Sequence, residues 1–284
     1  MFLHLRLMLT RTLSHGRTSR KYYLLSNPQY KVMTKNILAV ILTMLTCLSC
    51  NSQHATSGSN KDVQDDVYTT DSGKEITFTF IKHGSLEIKY DGLSIQVDPV
   101  RQLPPETDYS KFDKASFILV THEHFDHFDK DAIAILSDDN TQVVLNKNCQ
   151  QMLGSGKAMS NGKTLKLRED ITLDAVPAYN KTEGHLQFHP KGRDNGYVLN
   201  LDGLRIYIAG DTEDIPEMAQ LKDIDIAFLP CNQPYTMTPE QLANAARMFS
   251  PHVIYPYHYS ETPVEKIKEL LKDTNIEVKI RDMK

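Results

Sequence analysis

Thr121-His122-Glu123-His124-Phe125-Asp126-His127 follows directly on the apolar run Phe117-Ile118-Leu119-Val120. The segment packs three imidazoles and, besides Glu123, the carboxylate of Asp126 into one short stretch. Neutral imidazole nitrogen is a preferred ligand of zinc and its neighbours, and carboxylate oxygen suits the same ions. Alternation along an extended chain sends His122 and His124 to one side. A turn beginning near Phe125 then carries Asp126 and His127 towards a second point nearby, so the H-x-H-x-D-H stretch has the donors for two ions. A lone histidine here would read as part of a polar loop after a buried strand; the full stretch does not.

Working outward, Ile76 to Ile81, Leu86 to Tyr90 and Leu93 to Val97 each alternate, with Gly84 and Asp91-Gly92 between them. They predict an antiparallel meander ended by Asp98-Pro99. His83 falls in the first turn and is expected to be solvated. Asp108 to Lys114 is a polar link. Asp131 to Leu136 predicts a short helix with Asp129 as N-cap, Val143 to Leu145 a strand, and Gln150 to Leu153 a weak helical turn. Leu165 to Leu167 and Ile171 to Val176 alternate again. Tyr197 to Leu201 and Leu204 to Ala209 flank Asp202-Gly203 and predict a hairpin, which leads to Gly210-Asp211-Thr212. The glycine admits close backbone approach, and one carboxylate at a strand end can bridge two cations. Ile224 to Leu229 and Val253 to His258 predict strands, Pro239 to Phe249 a helix capped by Thr238, Pro263 to Leu271 a helix and Ile276 to Ile280 a last strand. Short helices between β runs indicate an α/β sandwich.

The H-x-H-x-D-H stretch resembles the metal-binding signature of the metallo-β-lactamase superfamily, over roughly Ile76 to the C-terminus. The resemblance implies a four-layer αββα sandwich with one or two metals at one edge. It implies His122, His124 and His189 for one ion, Asp126, His127 and His258 for the other, and Asp211 shared between them. Asp98-Pro99 would be either a supporting residue at the edge or a plain turn. The loop after Val176-Pro177-Ala178-Tyr179-Asn180 holds His185 and His189. His189-Pro190-Lys191-Gly192 ahead of Gly196-Tyr197 resembles the branch with ascorbate-6-phosphate lactonases and N-acylphosphatidylethanolamine phospholipase D, and so favours His189. Pro190 also restricts the backbone of His189 to extended conformations, whereas Gly184 leaves His185 freer.

The implied chemistry is metal-assisted hydrolysis of an ester, lactone or phosphodiester bond by a metal-activated water, with two divalent ions, zinc by default and manganese or iron as options. Asp126 is the candidate catalytic group besides being a ligand. Asn232, Tyr235, Tyr257, Tyr259, Lys191 and Arg193 are pocket candidates for a small-molecule or lipid substrate. Two other readings stand beside this one: a metal-holding lipoprotein without turnover, and an iron-dependent oxidoreductase of the same fold. Diiron electron-transfer members add a flavin domain, for which this chain has no room.

The 284 residues carry a formal net charge of -4 and 40% hydrophobic residues, enough for one large domain or two small ones. Mild acidity argues against a nucleic-acid partner held by bulk charge. Cys47, Cys50, Cys149 and Cys231 do not form a disulfide framework. Met1 to Lys35 is basic, and Ile37 to Leu48 is an apolar run ending in Leu48-Ser49-Cys50-Asn51. That pattern predicts a secretory signal, with Met1 to Val32 as an upstream extension of the frame. Cys50 resembles the acylated cysteine of bacterial lipoproteins, although Cys47 stands where leucine is usual. The expected organisation is a signal over 1–50, a solvated tether over 51–73 and a hydrolase domain over 74–284, lipid-anchored in the cell envelope.

Overall fold

The computed structural model describes residues 65–284. The signal segment, Cys50 and the first part of the tether lie outside them. One sheet contains, side by side, β1 (Asp65–Thr69), β2 (Glu75–Lys82), β3 (Ser85–Tyr90), β4 (Leu93–Val97), β5 (Phe117–Leu119), β6 (Gln142–Leu145) and β7 (Lys157–Ala158). The other contains β8 (Thr164–Arg168), β9 (Ile171–Ala178), β10 (Asp194–Leu201), β11 (Leu204–Ile208), β12 (Ile226–Pro230), β13 (Val253–Tyr257) and β14 (Glu277–Val278), again in chain order. Each sheet starts antiparallel and turns parallel, the first after β4 and the second after β11.

The alternation read in the sequence decides which faces meet. Ile76, Phe78 and Phe80 point to one side of β2 and are buried. There Phe78 meets Phe228 of β12 with ring centroids 5.6 Å apart, and Phe80 meets Tyr255 of β13 at 5.0 Å. Burying side chains of this size is worth roughly 1.5–3 kcal/mol each. Helices cover the outer faces. α1 (Lys130–Leu136) and α2 (Lys147–Leu153) supply Ile133, Leu136 and Cys149 to a cluster with Ile118, Val120 and Leu145 of the first sheet. α3 (Pro239–Phe249) sets Phe249 edge-on against Tyr207 of β11 at 5.6 Å, and α4 (Lys266–Leu270) follows it. The result is the α/β sandwich of four layers that the sequence predicts.

Direction places the site. β2, β4 and β5 all run towards one edge of the first sheet. β9, β11, β12 and β13 run towards one edge of the second. The two edges are tied together. Asn195 N–H donates to Thr121 O at 3.1 Å, Tyr197 Oη to Val120 O at 2.8 Å, and His258 N–H to His83 O at 3.2 Å.

Several elements differ from the sequence expectation. β1 lies inside the segment read as a solvated tether. Its pairing with β2 satisfies an edge, and Asp66 and Tyr68 find partners that composition does not reveal. The weak turn at Gln150 to Leu153 is the end of a full helix, with Asn146 capping it through Cys149 N–H at 2.8 Å and Gly154 left-handed after it. The last helix is shorter than Pro263 to Leu271, and the last strand covers only Glu277–Val278. Cys149 and Cys231 are free and buried.

Candidate metal centre

The chain reverses in the turn after β5. His127 and Phe128 N–H both donate to His124 O, at 3.0 and 2.9 Å, and this reversal separates two pairs of side chains. His122 and His124 join His189 and Asp211 in one group. Asp126 and His127 join His258 and His83 in the other. Within each group one donor atom per residue lies within 4.8 Å of the rest.

The first group is compact. His124 Nδ1 lies 3.1 Å from His122 Nε2 and 3.2 Å from His189 Nε2. Asp211 Oδ2 lies 3.3 Å from His189 Nε2 and 3.8 Å from His122 Nε2. A tetrahedral ion with bonds of about 2.0–2.1 Å spaces its ligands about 3.3 Å apart, so these separations match. In the second group His258 Nε2 lies 3.5 Å from Asp126 Oδ2, and His83 Nε2 lies 3.1 Å from the same oxygen. Asp211 reaches both groups: its Oδ1 lies 3.4 Å from His127 Nε2, and its Oδ2 3.3 Å from His258 Nε2.

Neighbouring groups fix which ring nitrogen faces inward. Asp98, fully buried, accepts Thr121 N–H at 2.8 Å, Thr121 Oγ1 at 2.7 Å and His127 Nδ1–H at 2.8 Å. Because Thr121 Oγ1 gives its proton to Asp98, it accepts from His122 Nδ1–H at 3.0 Å. One carboxylate thus engages Nδ1 of His127 and, through Thr121, of His122, and so turns Nε2 of both inward. Asn180 does the same for His189. Its Oδ1 accepts Nδ1–H at 2.8 Å, and its own Nδ2 donates to Tyr235 O.

Charge is arranged for cations. Burial opposes protonation of His127, but Asp211 and the bonded Asp98 override it and raise its pKa to about 10. Burial would raise the Asp126 carboxyl, but His258 and His83 beside it hold it far below the usual carboxylate range. Burial and the neighbouring His127 push His122 well below an ordinary imidazole. His127 Nε2, Asp211 Oδ1 and His258 Nε2 are buried without a hydrogen-bond partner. Unpartnered polar atoms cost free energy in an interior. Inward-facing ring nitrogens, orphaned polar atoms and buried carboxylates together fit divalent ions.

His83 is the residue that the sequence reading left out. It is not solvated: its side chain is 12% exposed, and its ring centroid stands 3.8 Å from that of His258. The signal was present in the meander, because the turn after β2 must share an edge with Asp98 and the end of β5. His83 and His258 both hold left-handed backbone, at φ 50° each. Gly84 follows because a Cβ there would stand 2.7 Å from the His127 ring.

Of the two loop histidines, the structure brings His189 into the group. It sets His185 outside, 3.3 Å from Glu213. Tyr257 and Tyr259 are no pocket residues. Tyr257 is fully buried with Oη towards Gly210 O, and Tyr259 Oη donates to Arg281 O. Lys191 is paired with Glu217, and Arg193 with Asp194 and Glu123. Asn232 Nδ2 donates to Ser260 Oγ at 3.2 Å, while Tyr235 stands exposed beside His189.

Residues 46–258 match the family profile of the β-lactamase superfamily domain. A UPF0173 metal-dependent hydrolase of Thermococcus kodakarensis is 31% identical over 68% of this chain and 88% of its own length. One of Enterococcus faecalis is 30% identical over 64% and 85%. Among solved structures, a Parabacteroides distasonis protein, assigned by name only to the metal-dependent hydrolases, is 56% identical. It covers 78% of this chain and 100% of its own, with a TM-score of 0.76. Igni18, a metallo hydrolase of Ignicoccus hospitalis, shares the fold at 24% identity, 73% and 95% coverage and a TM-score of 0.62.

Proposed function

The chain belongs to the metallo-β-lactamase superfamily as a metal-dependent hydrolase, and from that premise we propose that it holds two divalent ions and cleaves an ester, lactone or phosphodiester bond. One observation carries the reading: Asp211 lies between two groups of inward-facing donors, with an oxygen within 3.4 Å of His127 and another within 3.3 Å of His189 and His258. His122, His124 and His189 would hold one ion, and Asp126, His127, His258 and His83 the other, with Asp211 shared. Zinc is the default for this donor set, manganese and iron the alternatives. Bound ions would supply Lewis acidity and a water that is acidic near neutral pH.

The chain's own residues do the remainder. Asp126 stays ionised and can orient an attacking water. Asp98 and Asn180 keep the ligand rings from turning. The branch beside ascorbate-6-phosphate lactonases and N-acylphosphatidylethanolamine phospholipase D belongs to the same proposal, supported by His189 to Gly192 ahead of Gly196-Tyr197.

Elemental analysis after loading and washing is expected to find two ions per chain. The loaded protein is then assayed on p-nitrophenyl acetate, a γ-lactone and bis-p-nitrophenyl phosphate, of which at least one should turn over. Retention of no metal, or turnover of none of the three, defeats the reading. The export proposal rests on the basic front, the apolar run and Cys50. Mass spectrometry of protein from membranes should find acylated Cys50 at the N-terminus, and a soluble chain retaining Ile37 to Leu48 would refute it.

A further inference from the structure

The large apolar side chains that this fold leaves exposed are concentrated where the donors are. Among the described residues they are Val67, Phe125, Met152, Leu186 and Tyr235. Phe125 is 78% exposed and lies in the chain between His124 and Asp126, that is, between the two groups of donors. Leu186 is 51% exposed in the loop that ends at His189. Tyr235 is 46% exposed, and its carbonyl accepts from His189 Nδ1–H. Phe188, half-buried, stands edge-on to Tyr235 with centroids 4.9 Å apart. A single exposed leucine needs no explanation, but several apolar side chains on the segments that build one centre do.

The basic side chains of the same loop are each already paired with a carboxylate. Lys181 is held by Asp214, Lys191 by Glu217, and Arg193 by Asp194 and Glu123. Among the side chains around the donors, the apolar Phe125, Leu186 and Tyr235 stand exposed. We propose that Phe125, Leu186, Phe188 and Tyr235 form an apolar rim that binds an alkyl or aryl group of the substrate, whose polar scissile group faces the donors. This rests on the hydrolytic reading above. It adds that the substrate is amphiphilic, with its apolar part adjacent to the bond cleaved.

The test reads binding apart from turnover. Metal-loaded wild type and a Phe125→Ser/Leu186→Ser/Tyr235→Ser variant are titrated by calorimetry with n-alkylphosphonic acids from methyl to octyl. Wild-type affinity should rise about two- to fourfold per methylene, and the variant series should be flat at equal metal content. The three substituted residues are exposed, so the fold is not at stake, and the single variants Phe125→Ser and Tyr235→Ser should each remove part of the slope. A flat wild-type series on metal-loaded protein overturns the rim. So does a flat series together with wild-type but not variant sedimentation on phosphatidylcholine vesicles, which would make the patch a membrane-docking face. A retained slope without hydrolysis of any ester or diester supports the rim and sinks the hydrolytic reading alone. Failure of wild type to retain metal sinks both.

Discussion

At Asp98 the backbone is left-handed, φ 41°, and the side chain is wholly buried. Non-glycine residues adopt that conformation seldom, aspartate more readily than most. Here it lets one carboxylate take protons from Thr121 and His127 and, through Thr121, orient His122. Asp98→Asn keeps the shape but can present an amide N–H towards His127. Losses of this kind typically weaken metal binding 10- to 100-fold, which competition with a chromophoric chelator would measure, and unchanged affinity would deny Asp98 this role. The two loop histidines give a second comparison. His189→Ala removes a buried nitrogen facing His124, whereas His185→Ala removes a partly exposed contact to Glu213. The first is expected to lose an ion and nearly all turnover, and the second to keep most of both. The opposite ranking in a metal titration would show that His185 is the ligand.

The loop between β9 and β10 has little regular structure, yet His189 must be held to a fraction of an ångström. The organising group is Glu213, two residues after Asp211 and fully buried. It accepts Lys181 N–H at 2.9 Å, Thr182 N–H at 2.8 Å and Thr182 Oγ1 at 2.8 Å, and contacts His185. The segment Gly210 to Glu213 thus supplies the shared carboxylate and fastens the loop that supplies His189. Gly210 is required by closeness as well as by its φ of +65°, since a Cβ would stand 2.9 Å from Asn195 O. Glu213→Ala removes Oε2, the one oxygen that accepts all three of these donors. The loop should loosen, with amide exchange at Lys181 and Thr182 faster by about tenfold for a loss near 1.4 kcal/mol. Metal should stay bound through the other ligands at reduced affinity. Exchange rates equal to wild type would mean that the loop is held by something else.

Across the whole molecule the two sheets are also joined through β1. Asp66 of β1 takes both Arg281 Nη2 and Nε and accepts from Tyr255 Oη, while Tyr68 Oη and Tyr255 Oη stand 2.6 Å apart. Burial alone would raise the Asp66 pKa, but the Tyr255 hydroxyl and the Arg281 guanidinium lower it on balance from 3.8. A carboxylate depressed in the folded state stabilises fully above its unfolded pKa and stops doing so as pH falls through the lower folded value. Asp66→Ala leaves Arg281 without its partner and should cost about 3 kcal/mol at pH 7, read by chemical denaturation. The difference from wild type should shrink below about pH 3.8. A pH-independent difference would assign the loss to packing alone.

The sequence by itself determined the β runs of the sandwich and the four donors from His122 to His127, because both depend on short-range pattern, whereas His189, Asp211 and His258 were legible through the family resemblance. Alternation in Ile76 to Phe80 sets which face of β2 is apolar, Asp202-Gly203 forces a hairpin, and His122 to His127 are neighbours along the chain. Only the tertiary structure decided what depends on which strand ends meet. His83 and His258 are far apart in sequence, and their rings come within 3.8 Å because parallel and antiparallel strands finish at facing edges. The same convergence decided between the two readings of Asp98 by making it the group that orients two imidazoles, buried Tyr257, and gave Asp66 of the supposed tether an arginine from the other end of the chain. A carboxylate or imidazole has no role written in its neighbours along the chain. Its pKa, tautomer and partners follow from the groups folding brings within about 4 Å.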